Sequence, residues 1–389
     1  MTAIPRGDIQ LYLNFAKQLL QHAAADPDVL ILSRLTDPSL LKGPLTISLE
    51  LTSKCNLSCT HCRASGNENI RKNEYLDYAL FCDLADQLDC IKPTRVGITG
   101  GEPFLHPQIS EIITRIKKSG HTIVLYTNGT LITEAEGKLL KTLLSPSDIV
   151  HISIDGGEAA HEHQRGPGTF AQVRRALSIL KNSRIPFRIT TVPTKNNIES
   201  VDELVALVLE FRPISFSAVP LMYAGRASDG SLAVDIKKLL EKEIYVIKQL
   251  DGKVKYQGGF VGPYCRLLEL QDSINLSDFL RRDASSTRIC DACLGQAYVD
   301  CDGSVYPCNL LSAYTEFNMG NLVTNSLNTI WKSEQWKMLR NGISMNSDCQ
   351  NCELWHICNG GCFALSFIHF GDIHTPDPRC PRNIVNGGI

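Results

Sequence analysis

The chain has 389 residues, 43% hydrophobic and 21% charged, which is the balance of an ordinary soluble globular protein with room for one barrel-sized domain and an appendage. Lys and Arg number 39 against 41 Asp and Glu, so no net field favours nucleic acid or an anionic membrane. No apolar run approaches the roughly 20 residues that span a bilayer, and the opening MTAIPRGDIQLYLNF has no basic stretch leading into an apolar core, so the expected location is the cytoplasm, with no membrane partner.

In chain order, a helix is predicted over residues 9–25, followed by a Pro-containing connector that runs to about residue 44. Short apolar, β-branched runs then recur at 45–51, 95–99, 122–127, 148–154, 187–192 and 214–219. Between them lie helical periodicities at 109–118, 134–144, 170–181 and 201–211, and a further one at 236–250. Strands alternating with helices imply βαβ units and a parallel sheet. Six units are too few for a closed eight-stranded barrel and suit a partial (β/α)6 barrel over residues 45–250. From about residue 254 helical periodicity fades, and 10 of the 15 cysteines lie between Cys265 and Cys380, so residues 251–389 read as a separate cysteine-rich domain.

A reducing cytosol keeps thiols free, so clustered cysteines there argue for metal rather than disulfides. The tightest cluster follows the first strand: Cys55, Cys59 and Cys62. Three thiolates within eight residues can wrap one face of an iron–sulfur cubane, which normally takes four cysteines, so one iron keeps an open position. A structural zinc site wants four closed ligands, which this triplet alone does not offer. His61 is a candidate fourth ligand, although its adjacency to Cys62 favours packing beside the cluster. Directly after the second strand comes Thr99-Gly100-Gly101-Glu102-Pro103. Loops at the carboxyl ends of parallel barrel strands build active sites. Two glycines let backbone approach a ligand closely, and Glu102 can accept from an ammonium group. Cys82 and Cys90 fall on the helix after the first cluster and read as small buried hydrophobes.

The triplet after the first strand with Gly-Gly-Glu-Pro after the second resembles the radical S-adenosylmethionine (SAM) enzymes. The resemblance runs on through Tyr126-Thr127-Asn128-Gly129 and through His151, Ser153 and Asp155-Gly156. It implies that Cys55, Cys59 and Cys62 hold a catalytic 4Fe–4S cluster whose free iron binds the amino and carboxylate groups of SAM. Reduction then yields methionine and a 5′-deoxyadenosyl radical that abstracts hydrogen from substrate. Carried over by position, Gly100, Gly101 and Glu102 meet the methionine amino group and Ser153 faces the cofactor. Arg165 or Arg175 pairs with the SAM carboxylate, the two remaining equal candidates. Asn128 reads either as a cofactor contact or as the turn residue of Asn-Gly. Arg63 stands where many relatives carry an aromatic residue.

Further on, Cys349-x2-Cys352-x5-Cys358-x3-Cys362 precedes Cys380, with Cys290, Cys293 and Gly303-x4-Cys308 upstream. Without any family this reads as two four-cysteine sites, zinc included. The pattern resembles the SPASM extension of radical SAM enzymes. The resemblance implies two auxiliary 4Fe–4S clusters with interleaved ligands: Cys293, Cys308 and Cys362 with Cys290 or Cys265, and Cys349, Cys352, Cys358 and Cys380. Cys301 is read as part of a turn before the Gly303 hairpin. Trp331 and Trp336 fit a packing helix better than a substrate platform.

The expected activity is a radical oxidoreductase or isomerase that modifies a peptide by crosslinking, oxidation or epimerisation, fed by a flavodoxin or ferredoxin. The stretch before the first strand is short for a leader-peptide recognition domain, which keeps open a small metabolite such as a sugar or tetrapyrrole. From another class, a zinc-stabilised binding module without catalysis also fits the cysteines.

Overall fold

The structure, a computed structural model, describes residues 41–64, 72–260, 292, 294–340, 347–352, 355–358 and 360–380. The helix expected over residues 9–25 lies outside them, as do Cys265, Cys290 and Cys293. Strands β1 (Thr46–Glu50), β2 (Arg95–Thr99), β3 (Ile123–Thr127), β4 (Ile149–Ser153), β5 (Phe187–Thr191) and β6 (Ser215–Ala218) occupy the six predicted runs. Helices α1 (Tyr78–Ile91), α2 (Ile109–Lys118), α3 (Glu134–Leu143), α4 (Glu158–Arg165), α5 (Thr169–Asn182), α6 (Val201–Phe211) and α7 (Ile236–Leu250) connect them. Only α4 had no counterpart in the sequence reading. Its eight residues, EAAHEHQR, are too polar to show an apolar period.

The sheet is larger than expected. β7 (Lys255–Gly258) pairs in parallel with β6, β8 (Gln296–Val299) pairs in parallel with β1, and β9 (Val305–Tyr306) closes an antiparallel hairpin on β8. The order is β7-β6-β5-β4-β3-β2-β1-β8-β9, an open sheet. It is thus a partial barrel, with eight parallel strands rather than six. The sheet continues past residue 250, and the cysteine-rich segment joins it edge-on through β8.

Its two faces differ. Ile47, Leu49, Val96, Ile98, Leu125, Val150, Ile152 and Ile189 are fully buried against the helices in one core. Helix α2 shows why: Ile112, Ile113 and Ile116 repeat at helical spacing and bury one stripe. Helix α3 starts at a capping box, with Thr133 and Glu136 satisfying each other's backbone N–H groups. It packs so closely on α5 that a Cβ on Gly137 would stand 2.3 Å from Ile179. On the opposite face stand mostly polar, partly buried residues, such as His151 and Ser153 of β4 and Arg188 and Thr190 of β5. Parallel sheets covered on both faces read as continuous apolar runs, so this alternation marks a face lined by open space.

Beyond the sheet come α8 (Leu327–Trp331), α9 (Glu334–Arg340) and three further short helices: α10 (Ser347–Gln350), α11 (Trp355–Cys358) and α12 (Phe363–Phe370). Trp331 and Trp336 are buried with ring centroids 4.8 Å apart, so they are core residues as expected. Among the described residues no helix is long and apolar enough to cross a membrane.

Candidate active site

The triplet loop leaves the carboxyl end of β1 and is held from several sides. Backbone N–H groups of Gly101 and Glu102 donate to the carbonyls of Thr52 and Lys54 at 2.7 and 2.8 Å, which zips the Gly-Gly-Glu loop onto the cysteine loop. A Cβ on Gly100 would lie 2.6 Å from the Thr52 carbonyl, and one on Gly101 would lie 2.1 Å from that of Lys54. The two glycines therefore permit the close approach of one loop to the other.

Glu102 is held inside the protein. Its side chain has no exposed surface. Its Oε1 accepts from Thr127 Oγ1 at 2.7 Å and the Phe104 N–H at 3.3 Å, and its Oε2 accepts from the Asn128 N–H at 2.8 Å. Burial pushes the carboxyl up to about 7. Glu102 braces β2 against β3 and turns no surface toward an ammonium group. Asn128 makes the Asx turn of the second alternative, accepting from the Thr130 N–H at 2.9 Å. It also donates to Asn56 at 2.9 Å and lies 3.9 Å from Cys55 Sγ, so it ties that turn to the triplet.

Between the arginine candidates the geometry is unequal. Arg165, at the end of α4, is buried with Nη1 4.0 Å from Cys59 Sγ and Nη2 3.4 Å from His61 Nε2. Arg175 is exposed on α5. Asp155, in the turn after β4, is fully buried and accepts from Arg165 Nε at 2.6 Å, Thr191 Oγ1 at 3.0 Å and the Val192 N–H at 3.0 Å. The Arg165 guanidinium holds its carboxyl well below the usual range despite burial. A second guanidinium, Arg226, donates from Nε to the Cys59 carbonyl at 2.8 Å. The adjacent Gly225 fits only because a Cβ there would meet the Cys62 carbonyl at 2.4 Å. Ser153 ends β4 on the open face of the sheet, in register with Thr190.

Burial pushes the Cys55 thiol up to about 11 and raises that of Cys59 against the pull of Arg165. Such sulfurs are poor free nucleophiles and gain their negative charge against a positive metal. His61 is buried beside them, its pKa lowered to about 4 by burial and the two arginines, with Nδ1 lacking a hydrogen-bond partner. Three thiols from one loop, flanked by two guanidiniums that offset thiolate charge, are a donor set that fits an iron–sulfur cluster. Among the described residues every cysteine is a thiol rather than half of a disulfide. Cys90 is exposed, however, where a buried apolar role was expected, and Cys82 is half-buried against the core.

The C-terminal cysteines sort into two neighbourhoods. Burial pushes Cys358 up to about 12, with Cys380, Asp377 and Cys349 adding to it. Burial pushes Cys362 up to about 11, with Asp377 and Cys308 adding while Arg379 opposes. Asp377 stands between them: its Oδ2 accepts from the Cys362 N–H at 2.9 Å, and its own N–H donates to the Gly360 carbonyl at 2.9 Å. Arg379 pairs with it at 2.7 Å. Cys352 follows Cys349 in the turn that ends α10, its N–H donating to the Cys349 carbonyl at 3.0 Å. Cys301 is fully buried and donates to the Asn73 carbonyl at 3.1 Å.

Comparison with known proteins decides the family. Residues 49–208 match the model of the radical SAM superfamily, and residues 278–353 match the SPASM iron–sulfur cluster-binding domain. The chain thus carries a radical SAM domain followed by an iron–sulfur SPASM domain. It is similar to an AdoMet-dependent heme synthase of Methanosarcina barkeri, 27% identical over 350 residues, covering 88% of this chain and 97% of that protein. It is also similar to the mycofactocin maturase MftC of Mycolicibacterium smegmatis, 28% identical over 348 residues, covering 87% of this chain and 83% of that protein. In fold it resembles Streptococcus suis SuiB, solved with its precursor peptide SuiA. The TM-score is 0.71 at 20% identity, covering 93% of this chain and 80% of that one.

Sequence reasoning gave no role to three residues that stand at the cysteine groups: Asp155, Arg226 and Asp377. For Asp155 a signal existed, since Asp-Gly directly after a parallel strand sits where barrel sites are built. Arg226 follows a glycine after β6 and carried the same signal more weakly. Asp377 had none, because only the folded chain sets it between two cysteine groups.

Proposed function

We propose that this chain reductively cleaves SAM at a cluster held by Cys55, Cys59 and Cys62 and uses the radical to modify a peptide. The observation that carries the reading is the thiol triplet, with Cys59 buried and Cys55 and Cys62 half-buried, and Arg165 beside it, oriented by Asp155. A bidentate guanidinium suits the SAM carboxylate, and Arg165, rather than exposed Arg175, stands within reach of the triplet. Gly100 and Gly101 keep the loop near enough for their backbone to meet the methionine end, while Glu102 and Asn128 hold that loop rigid. Ser153 faces the same space from β4. The bound cluster and SAM would supply a 5′-deoxyadenosyl radical that removes hydrogen from substrate.

Residues 45–250 form the catalytic unit in this reading, and residues 251–389 the SPASM unit. Cys308 and Cys362, with Cys293 and either Cys290 or Cys265, hold one auxiliary 4Fe–4S cluster; Cys349, Cys352, Cys358 and Cys380 hold the other. Auxiliary clusters suit net oxidation, because they can take the electron left on a substrate radical, and so favour an oxidoreductase. Flavodoxin or ferredoxin in the cytoplasm would supply the first electron. Similarity to MftC and to the subtilosin biosynthesis protein AlbA of Bacillus subtilis supports a peptide substrate. Similarity to heme synthases keeps a tetrapyrrole as the second reading.

Anaerobic reconstitution is expected to give a brown protein with about 12 iron atoms per chain. Replacing Cys55, Cys59 and Cys62 together with Ala should leave roughly two thirds of that iron and abolish 5′-deoxyadenosine formation under dithionite. Retained cleavage, or about four iron with two zinc, overturns the reading.

A further inference from the structure

Tyr126 on β3 pairs in register with His151 on β4, His151 with Arg188 on β5, and Arg188 with Ser215 on β6. Paired residues of neighbouring strands point to one side, here the open side of the sheet. Tyr126 is 42% exposed, yet burial is the main influence raising its phenol. Tyr126 is thus reached from the open side of the sheet, with protein packed around part of it. Its ring lies 4.6 Å from that of His151, which burial and Arg188 hold neutral, down to about 3.

The charges that act on the Tyr126 phenol are of one sign. Arg188, Arg95 and Arg63 all act on the Tyr126 phenol, and Arg63 directly follows Cys62, so the wall runs up to the triplet loop. Arg188 donates through Nε to Ser215 Oγ at 2.7 Å. Among the described residues no carboxylate forms an ion pair with it. A half-buried guanidinium facing other cations is costly in the free protein, and an anionic ligand relieves that cost. Two residues further along the strands, Thr190 pairs with Ser217 and Ser217 with Gln257. Among the described residues, Thr190 Oγ1 and Gln257 Oε1 are buried there without a hydrogen-bond partner. These are polar atoms poised for a ligand rather than for the fold.

We propose that this open face is the substrate floor, and that Arg188 takes a carboxylate of the substrate while Tyr126 and His151 wall it in. The inference rests on the radical SAM reading above and deepens it: the substrate is a carboxylate-bearing molecule, a peptide with an acidic side chain. A tetrapyrrole propionate offers the same chemistry from another source.

The test is equilibrium dialysis of anaerobic holoenzyme against Ac-Ala-Ala-Glu-Ala-Ala-amide, its Gln counterpart, protoporphyrin IX and the porphyrin's dimethyl ester. Wild type should bind the Glu peptide about tenfold tighter than the Gln peptide. Arg188→Met should bring the two to parity, and Arg188→Lys should keep part of the preference. Iron content and visible spectrum check that the variants remain folded, and the wild-type preference stands without them. Preference only for the porphyrin acid over its ester, lost in Arg188→Met, supports the carboxylate site and overturns the peptide source. No preference in either pair, or one that survives Arg188→Met, overturns the inference while SAM cleavage still stands.

Discussion

Replacing Asp155 with Asn removes the charge beneath the cysteine triplet and keeps the shape. The carboxylate is fully buried and accepts from Arg165 at 2.6 Å and from Thr191 and the Val192 N–H at 3.0 Å each. An amide oxygen can still accept from part of this set, so the loss is at least one charge-assisted hydrogen bond, about 1.5–3 kcal/mol. It also leaves the Arg165 guanidinium buried without its counter-ion, and breaking such a pair costs about 3–5 kcal/mol. A destabilisation of about 3 kcal/mol is therefore expected, read as a shift in denaturant unfolding of the anaerobic protein. The native carboxyl titrates below its unfolded value, so the stability it contributes is present above the ordinary carboxylate range and lost only in acid. The effect of Asp155→Asn should thus be constant through neutral pH. Replacing the pair together, Asp155→Leu with Arg165→Met, puts apolar groups in place of both charges, which is often near neutral. This double variant should recover most of the stability and still form no 5′-deoxyadenosine. A single variant that loses less than about 1 kcal/mol, or a double variant that cleaves SAM normally, would refute the reasoning.

Gly101→Ala puts a Cβ 2.1 Å from the Lys54 carbonyl, so the two loops must part and Cys55 must move with them. Overpacking of this kind costs about 1–3 kcal/mol; iron content should fall by about a third, and full iron with wild-type cleavage would show that the loops are independent. Glu243, buried on α7, accepts from Tyr256 at 2.9 Å and the Phe260 N–H at 3.3 Å, and burial pushes its carboxyl up to about 8. A native value above the unfolded one means that its stabilising contribution is full in mild acid and lost as pH rises toward about 8. Stability should fall by a few kcal/mol across that interval, and Glu243→Gln should flatten the profile; an unchanged slope would assign it to another group.

Much of this protein was legible before it was folded. The strand at residues 95–99 and the helices at 109–118, 201–211 and 236–250 end where their apolar periods end. The cysteine spacings likewise read directly, because ligands within one loop are neighbours by chain connectivity alone. β7 and β8 were not legible: Lys-Tyr-Gln-Gly and Gln-Ala-Tyr-Val are too short and mixed to announce a strand, and they become strands by hydrogen bonding to β6 and β1. Position in sequence could not choose between Arg165 and Arg175. Packing of α4 and α5 turns one inward and one outward, and brings Arg165 to a cysteine 106 residues away. The Gly-Gly-Glu motif carried its location but not its close loop contact or the burial of its carboxylate, which are properties of the surroundings. The alignment of Arg188, Tyr126 and His151 on one face exists only in the register of three parallel strands. Local spacing determines what a single loop can hold, while the partner of each charge depends on non-local strand pairing, which the tertiary structure alone decides.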